Sequence, residues 1–424
     1  MDIRGAKTAV GGHYMAERSV ARSTDRFARK RDAILDAATE ILNRKGVRGL
    51  TLGLAAAAVG LSTTSVTYYF KRKDDLAAAC LMRGIAWLQG AADEAMQAPT
   101  PEARLHRLLE LYLDRVRLSA VGEAPALPLL SDLRALNSPQ RTEVFAGFMA
   151  LFRKVRTLFE APDLEFLSRG RRTARTHLLM EQLFWAAAWL PKYEPEDYPR
   201  VLERMFDILT RGLAIPGVGW DPAPTSLAAL AASDNGEVGR DAFLLAATRL
   251  INSRGYRGAS VDKISAELNV TKGSFYHHHD AKDDLVVACF DRTFEVMRRV
   301  QRMAMTQTRG DQWVRLSTAA AALAEYQLSE FGPLLRSSAL SALPEEMRDE
   351  QAAQFNRVSD RFASMISDGI VEGSIRPVDP FIAAQMLNAT LNAGAELGFW
   401  VPGVSQKAAP SVFARPMLMG VFSK

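Results

Sequence analysis

Apolar residues recur along this chain with the period of a helix. Ile34, Ala37, Ala38, Ile41 and Leu42 follow i, i+3, i+4, i+7, i+8 spacing, which predicts a helix from about Arg31 to Lys45 with one apolar face. Gly46 is a natural C-terminal stop for it. Thr51 stands where an N-cap opens a short second helix. After Gly60, Ser62 caps a third, Thr63-Thr64-Ser65-Val66-Thr67-Tyr68-Tyr69-Phe70. A fourth starts near Lys73, where Asp74 and Asp75 complement the dipole of its first turn.

The pattern then returns. At an offset of 209 residues, counted from Arg31 to Arg240, about 20 of 55 positions are identical without a gap. Phe243, Ala246, Ala247, Leu250 and Ile251 repeat the stripe, Gly255 and Gly258 repeat Gly46 and Gly49, and Lys282-Asp283-Asp284-Leu285 repeats Lys73-Asp74-Asp75-Leu76. Ser260 and Thr271 repeat the caps. Gly60 aligns with Asn269. Glycine visits positive φ freely and asparagine tolerates it next best, so both copies ask for a left-handed residue between two short helices. That is the tight turn of a helix-turn-helix. Cys80 and Cys289 also coincide, which marks one small core position seen twice and not a redox couple.

Composition narrows the class. Hydrophobic residues make up 48% and charged residues 24%, as in a globular protein. Two cysteines cannot form a disulfide framework. The longest strongly apolar run, Leu183 to Leu190, is far short of the roughly 20 residues of a membrane span, and the N-terminus lacks the apolar core of a signal peptide. A cytoplasmic protein is expected, with no membrane partner. The net charge of +5 permits nucleic-acid binding without requiring it. Its placement is more telling: Arg18, Arg22, Arg26, Arg29, Lys30 and Arg31 crowd the start against Glu17 and Asp25. Residues 1–28 are therefore expected to be a flexible basic arm that follows phosphates or enters a minor groove. Between the copies, Pro216, Pro222, Pro224 and several glycines mark a linker.

The third helix of each copy is the candidate DNA reader. Small polar residues at its start admit the backbone to base edges, and Tyr and His further along donate to phosphates. The DNA-binding candidates are Thr51, Thr63, Thr64, Thr67, Tyr68, Tyr69 and Lys73 in copy one, and Ser260, Lys272, Gly273, Ser274, Tyr276, His277 and Lys282 in copy two. Phe70 and His279 are assigned to the core, and Tyr68 and Tyr276 to DNA. The run His277-His278-His279 is not read as a metal site, because consecutive helical residues lie about 100° apart. No nucleotide-binding loop, nucleophile elbow or zinc spacing is present, so neither catalysis nor a cofactor is expected. For a small apolar or aromatic effector, Met180, Phe184, Trp185 and Trp189 are the candidates in the first unit, and Tyr326, Met386, Phe399 and Trp400 in the second. Such stripes more often form a core or an interface. His106, His177, Arg153 and Arg156 are the polar anchors available.

Gly60-Leu61-Ser62 through Phe70 and Lys73 to Leu76, and Asn269-Val270-Thr271-Lys272-Gly273-Ser274-Phe275-Tyr276 through Lys282 to Leu285, resemble the signature of the TetR family of bacterial regulators. The resemblance implies an all-α chain of two TetR-like units, each a three-helix helix-turn-helix domain plus a helical ligand-binding and dimerisation domain, arranged as an internal pseudo-dimer. The expected segments are 1–28, the arm; 29–76 and 77–214, the first unit; 215–237, the linker; and 238–285 and 286–424, the second. It further implies double-stranded DNA as partner and a repressor released by its effector. Because the readers differ at nearly every exposed position, an operator of two unlike half-sites is expected. Whether two chains pair again is not fixed by the sequence.

The chain also departs from the family pattern. Thr67 replaces a phosphate-contacting Tyr, Leu54-Ala55-Ala56-Ala57-Ala58 replaces a more polar second helix, and His279 replaces a packing Phe. Pro416 is expected to kink the last helix. These departures keep a second reading in view, a ligand sensor or protein-interaction regulator with one or both readers weakened.

Overall fold

In the computed structural model, residues 9–231, 238–259, 261–267 and 282–424 are described; among them are helices and loops and a single antiparallel bridge, Ala214 to Ile375, with no strand. Helices α1 (Ala9–Gly49), α2 (Leu52–Ala58) and α3 (Thr63–Tyr69) form the first helix-turn-helix. The body of the first unit follows as α4 (Lys73–Ala95), α5 (Pro101–Ala120), α6 (Gln140–Arg156), α7 (Arg169–Trp189) and α8 (Tyr198–Arg211). After the short α9 (Leu227–Ala231), the second unit runs through α10 (Val238–Gly258), α11 (Val261–Glu267), α12 (Lys282–Gln307), α13 (Gln312–Gln327), α14 (Glu345–Glu372), α15 (Pro380–Ala393), α16 (Leu397–Trp400) and α17 (Arg415–Met419). The architecture is all-α and built from two similar units.

The repeat holds at the level of backbone and bond. Within α1 and α10 the helical path breaks at Gly46 (φ 63°, ψ 179°) and Gly255 (φ 69°, ψ 170°). That region is essentially closed to residues with a Cβ, which explains the glycine in both copies. The Cys80 thiol donates to the Leu35 carbonyl at 3.7 Å, and the Cys289 thiol to Leu244 at 3.6 Å. Burial pushes these thiols up to about 11 and about 12, so both are packing groups. Ile34, Ala38, Ile41 and Leu42 are buried, as are Phe243, Ala246, Ala247, Leu250 and Ile251.

Two expectations at the chain ends are corrected. Helix α1 starts at Ala9 and not near Arg31, so from there the expected flexible arm is helical. The segment holds no proline, and its four alanines and four arginines between Ala9 and Lys30 lose little freedom on entering a helix. Pro416 does not kink a long final helix. The helix there is short, residues 409–419 without a break, and its disturbance is a wide π turn at Pro410–Ala414 directly ahead of Pro416.

The two units meet along α7 and α15. Gln182 Nε2 donates to the Met386 carbonyl (3.0 Å) and Thr390 Oγ1 (2.9 Å), and Trp185 Nε1 donates to Gln385 Oε1 (3.1 Å). Burial holds His177 below its usual range, so its ring is neutral and Nε2 donates to the Ala393 carbonyl at 3.0 Å. The C-terminal tail returns across the same seam. Leu213 N donates to the Leu418 carbonyl at 2.8 Å, Arg376 Nε to the Gly212 carbonyl at 2.7 Å, and the buried Arg175 holds the carbonyls of Val421 (2.7 Å) and Ser423 (2.8 Å). Replacing Arg175 by alanine orphans both carbonyls and leaves a void. Arg175→Ala is expected to cost about 2–4 kcal/mol of unfolding free energy, measured by urea denaturation; a loss below about 0.5 kcal/mol would contradict that role.

Candidate nucleic-acid interface and inter-unit cavity

The first reader is fixed from behind and capped at its start. Thr51 caps α2 by accepting from Leu54 N at 3.1 Å, and Ser62 caps α3 by accepting from Ser65 N at 3.2 Å. Gly60 between them has φ 66°, the left-handed residue the turn requires. Val66 and Phe70 are buried beneath α3. The opposite face is open: Thr63 and Thr64 are exposed, and Tyr68 is 70% exposed. Thr67 is half-buried, and its hydroxyl donates back to the Thr64 carbonyl at 2.8 Å, which leaves it an acceptor only. Tyr69 is half-buried against Phe27 of α1, their ring centroids 4.6 Å apart. Phe27 also meets Tyr68 edge-on at 5.9 Å. Sequence periodicity missed this contact because Phe27 lies upstream of the helix it predicted. Arg26, Arg29, Lys30 and Arg31 are exposed beside it.

Lys73 and Lys282, expected at phosphates, each clasp the end of the first helix of their own domain, α1 and α10. Lys73 Nζ donates to the Arg48 carbonyl at 3.3 Å, and Lys282 Nζ donates to the Tyr256 carbonyl and lies 4.1 Å from that ring's centroid. Burial holds Lys282 below the usual lysine range. In the second copy Ser260, Lys272, Gly273, Ser274, Tyr276 and His277 lie outside the described residues, as do Asn269, Thr271, His278 and His279.

The two helix-turn-helix domains touch directly. Arg48 Nη1 donates to the Tyr256 hydroxyl at 3.4 Å, its guanidinium lies 5.5 Å from that ring and 3.9 Å from the Asp283 carboxylate, and Tyr256 donates to Asp283. Val47 occupies the Tyr256 position in copy one, so this clasp is made once. A break in the repeat was its only trace in the sequence.

Above the two domains lies a cavity of about 480 Å³ that draws its walls from both units. Five effector candidates converge on it: Met180, Phe184 and Trp185 from α7, and Phe399 and Trp400 from α16. Phe152 stacks on Trp400 with centroids 4.0 Å apart. Three candidates do not line it. Trp189 is buried against Tyr193 and Phe381, Met386 is core in α15, and Tyr326 is fully buried with its hydroxyl accepting from Arg292 at 3.1 Å. Of the polar anchors, His177 lines the wall, while Arg153 and Arg156 do not and His106 pairs with Glu203 at 2.8 Å. The sequence reading missed Glu181, Arg336 and Glu396, which the fold brings together there from distant segments.

Two short 3₁₀ segments, Leu130–Ala135 and Ser337–Ala342, form the cavity side nearest the helix-turn-helix domains. Each is tied to a first helix by an equivalent asparagine. Asn43 donates to the Leu127 carbonyl (2.8 Å) and accepts from Leu129 N (2.9 Å); Asn252 donates to the Leu334 carbonyl (2.8 Å) and accepts from Arg336 N (3.1 Å). Asn137 and Gln140 carry the first segment on to Asp74 (2.9 Å) and Asp75 (2.6 Å) at the start of α4.

A family model described as bacterial regulatory proteins, tetR family, matches residues 34–80 and again 243–289. The Transposon Tn10 TetC protein of Escherichia coli is 46% identical over 41 residues, which are 10% of this chain and 21% of that protein; the match therefore spans about a fifth of that relative's length. A TetR-family transcriptional regulator from Bordetella parapertussis is 22% identical, covering 42% of this chain and 92% of its own, with a TM-score of 0.36. AibR, solved in complex with isovaleryl coenzyme A and operator DNA, is 16% identical over 42% of this chain and 96% of its own, with the same TM-score of 0.36.

The two aromatics at the end of α3 are expected to separate in a denaturation experiment. Phe70→Ala removes a core ring and costs about 3–5 kcal/mol. Tyr68→Ala stays within about 0.5 kcal/mol of wild type, as for a surface position. Equal losses at the two sites would show that Tyr68 serves the core.

Proposed function

We propose that this chain, a tandem member of the tetR family of bacterial regulators, is a cytoplasmic DNA-binding repressor that reads an operator with two unlike half-sites and lets go when a small molecule fills the inter-unit cavity. The observation that carries the reading is the open face of α3, with Thr63, Thr64 and Tyr68 exposed on a helix capped by Ser62 and anchored by Val66 and Phe70. Tyr68 meets the rings of Phe27 and Tyr69 only edge-on and stays 70% exposed, as suits a group that turns its hydroxyl to a phosphate or a base edge.

Two readers in one chain act as an internal pseudo-dimer. The clasp of Arg48 on Tyr256 and Asp283, together with the shared seam of α7 and α15, supports that arrangement. The readers are not copies of each other: Thr63, Thr64, Thr67 and Tyr68 align with Lys272, Gly273, Tyr276 and His277. Unlike side chains at equivalent positions read unlike bases, so the half-sites differ.

Release follows from where the cavity sits. Its lower side is the pair of 3₁₀ segments that Asn43 and Asn252 tie to α1 and α10. A ligand that fits better when these segments are spread favours a wider separation of the heads, and it lowers operator affinity by its preference for that state. Roughly a hundredfold preference shifts the balance by about 2.7 kcal/mol, enough to empty a nanomolar site at working concentrations. The reading requires neither catalysis nor a cofactor.

Binding to DNA fragments flanking the protein's own gene tests this, with wild type, Tyr68→Ala and Tyr276→Ala compared in footprinting and gel-shift assays. Wild type should protect a discrete asymmetric site, each variant should weaken it by about 5- to 100-fold, and affinity should fall steeply with salt. A perfect inverted repeat selected from random DNA would rule out the unlike half-sites. Binding no tighter than to nonspecific DNA would overturn the regulator reading.

A further inference from the structure

Helix α1 runs for 41 residues where its counterpart α10 runs for 21. Among the described residues α1 leaves the helical path only at Gly46, so its first turns continue the axis of the part that packs in the first head. Phe27 fixes where they leave the head. Its ring lies 4.6 Å from Tyr69 and meets Tyr68 edge-on at 5.9 Å, at the end of the reader. Four residues on, the Arg31 guanidinium lies 5.6 Å from the ring of Phe70. With 1.5 Å of rise per residue, the turns from Phe27 back to Ala9 reach about 27 Å beyond that anchor. A continuous helix held in this way is directed, not tethered.

The extension is basic by sequence. From Glu17 to Lys30 it holds Arg18, Arg22, Arg26, Arg29 and Lys30 against Glu17 and Asp25. Positions 18, 22, 26 and 30 follow at steps of four, which is one row along a helix. Arg26 and Lys30, the two of that row nearest the head, are exposed. A duplex carries one charge per about 1.7 Å of its axis, so such a row spans several phosphates. The row is continuous, through Phe27 and Tyr68, with the open face of α3. Its helical form also decides where it can lie: a helix is about 10–12 Å across and the minor groove about 6 Å wide, so the backbone and not that groove receives it.

The second copy has nothing equivalent. At the offset of 209, positions 18, 22, 26, 29 and 30 meet Leu227, Ala231, Asn235, Val238 and Gly239, none of them basic. The chain ahead of α10 is instead bound to its own body. Trp313 Nε1 donates to the Gly219 carbonyl (3.0 Å), Ala223 N to Thr318 Oγ1 (2.9 Å), and Arg299 to the Leu230 carbonyl (2.9 Å).

We propose that the N-terminal extension of α1 is a DNA-contacting element separate from the readers, a basic helix that lies along the phosphates flanking the first half-site and on that side of the operator only. The proposal rests on reading α3 as a DNA reader, and it adds a surface outside the helix-turn-helix. Phosphate contacts carry no base information, so the extension strengthens binding to every sequence alike and leaves the choice of operator to the readers.

Two triple variants of the full chain test this by the salt dependence of DNA binding. Arg18→Gln/Arg22→Gln/Arg26→Gln empties most of the row, and glutamine keeps the helix propensity. Arg153→Gln/Arg200→Gln/Arg309→Gln removes the same charge from exposed positions on the bodies of the two units. The extension variant should lower the slope of log affinity against log salt by about 2–3, on the operator fragment and on an unrelated duplex alike. The body variant should leave it unchanged. Hydroxyl-radical footprints of wild type should reach further beyond one half-site than the other, and the extension variant should lose that excess alone. Equal reach on both sides, or an unchanged slope, overturns the proposal, and so does an equal drop in the body variant. If unchanged DNA binding comes with lost binding to phosphatidylglycerol vesicles, the extension serves a membrane surface instead. If wild type protects no discrete site, the regulator reading fails, while the slopes on the unrelated duplex still decide the extension.

Discussion

Helix α7 cannot be satisfied by its own unit. Its buried face carries Arg175, His177 and Gln182, polar groups whose desolvation is costly unless each finds a partner. Most of the partners are supplied by the other unit: carbonyls of Met386, Ala393, Val421 and Ser423, and the hydroxyl of Thr390; within the helix itself Arg175 reaches only the Arg171 carbonyl, at 3.5 Å. Directional bonds of this kind fix register in a way that apolar packing alone does not. The seam therefore sets how the two bodies stand to each other, and with that it sets the shape of the cavity and the spacing of the heads below it.

From the seam the geometry passes downward through a few defined contacts. The two 3₁₀ segments lie between the cavity and the helix-turn-helix domains, each held by an asparagine at the same place in its repeat. Asn137 and Gln140 extend the first of these to the start of α4, directly behind the reader. The path is short because Asn43 lines the cavity, belongs to α1 and bonds the chain just ahead of the first 3₁₀ segment. The clasp of Arg48 on Tyr256 and Asp283 adds a direct contact between the heads themselves.

What the sequence made legible is local. The Thr51 and Ser62 caps, the left-handed Gly60, the breaks at Gly46 and Gly255 and the paired cysteines all follow from residues a few positions apart, where propensity and spacing decide the outcome. What it hid is non-local. Glu181 and Arg336 are 155 residues apart in the chain and carry no periodic or motif signal, so only the packed fold discloses them. The aromatic stripes were visible, yet periodicity could not say which members face a void: Trp185 and Trp400 do, while Trp189 and Tyr326 fill the core. The N-terminal helix escaped notice for a related reason, since its first turns have no apolar stripe to betray them.

Fusion into one chain changes what the seam is permitted to be. Where two identical subunits meet about a two-fold axis, the surface must complement itself, and every substitution is made twice. A lone arginine reaching across to one glutamate, with no mirror image, is hard to build under that rule. Here Arg336 meets Glu181 once, and Tyr256 meets Arg48 once, because the two halves are free to drift apart in sequence. The clefts such a molecule can evolve are handed, with different chemistry on each wall, and a single mutation can retune one wall without disturbing its counterpart.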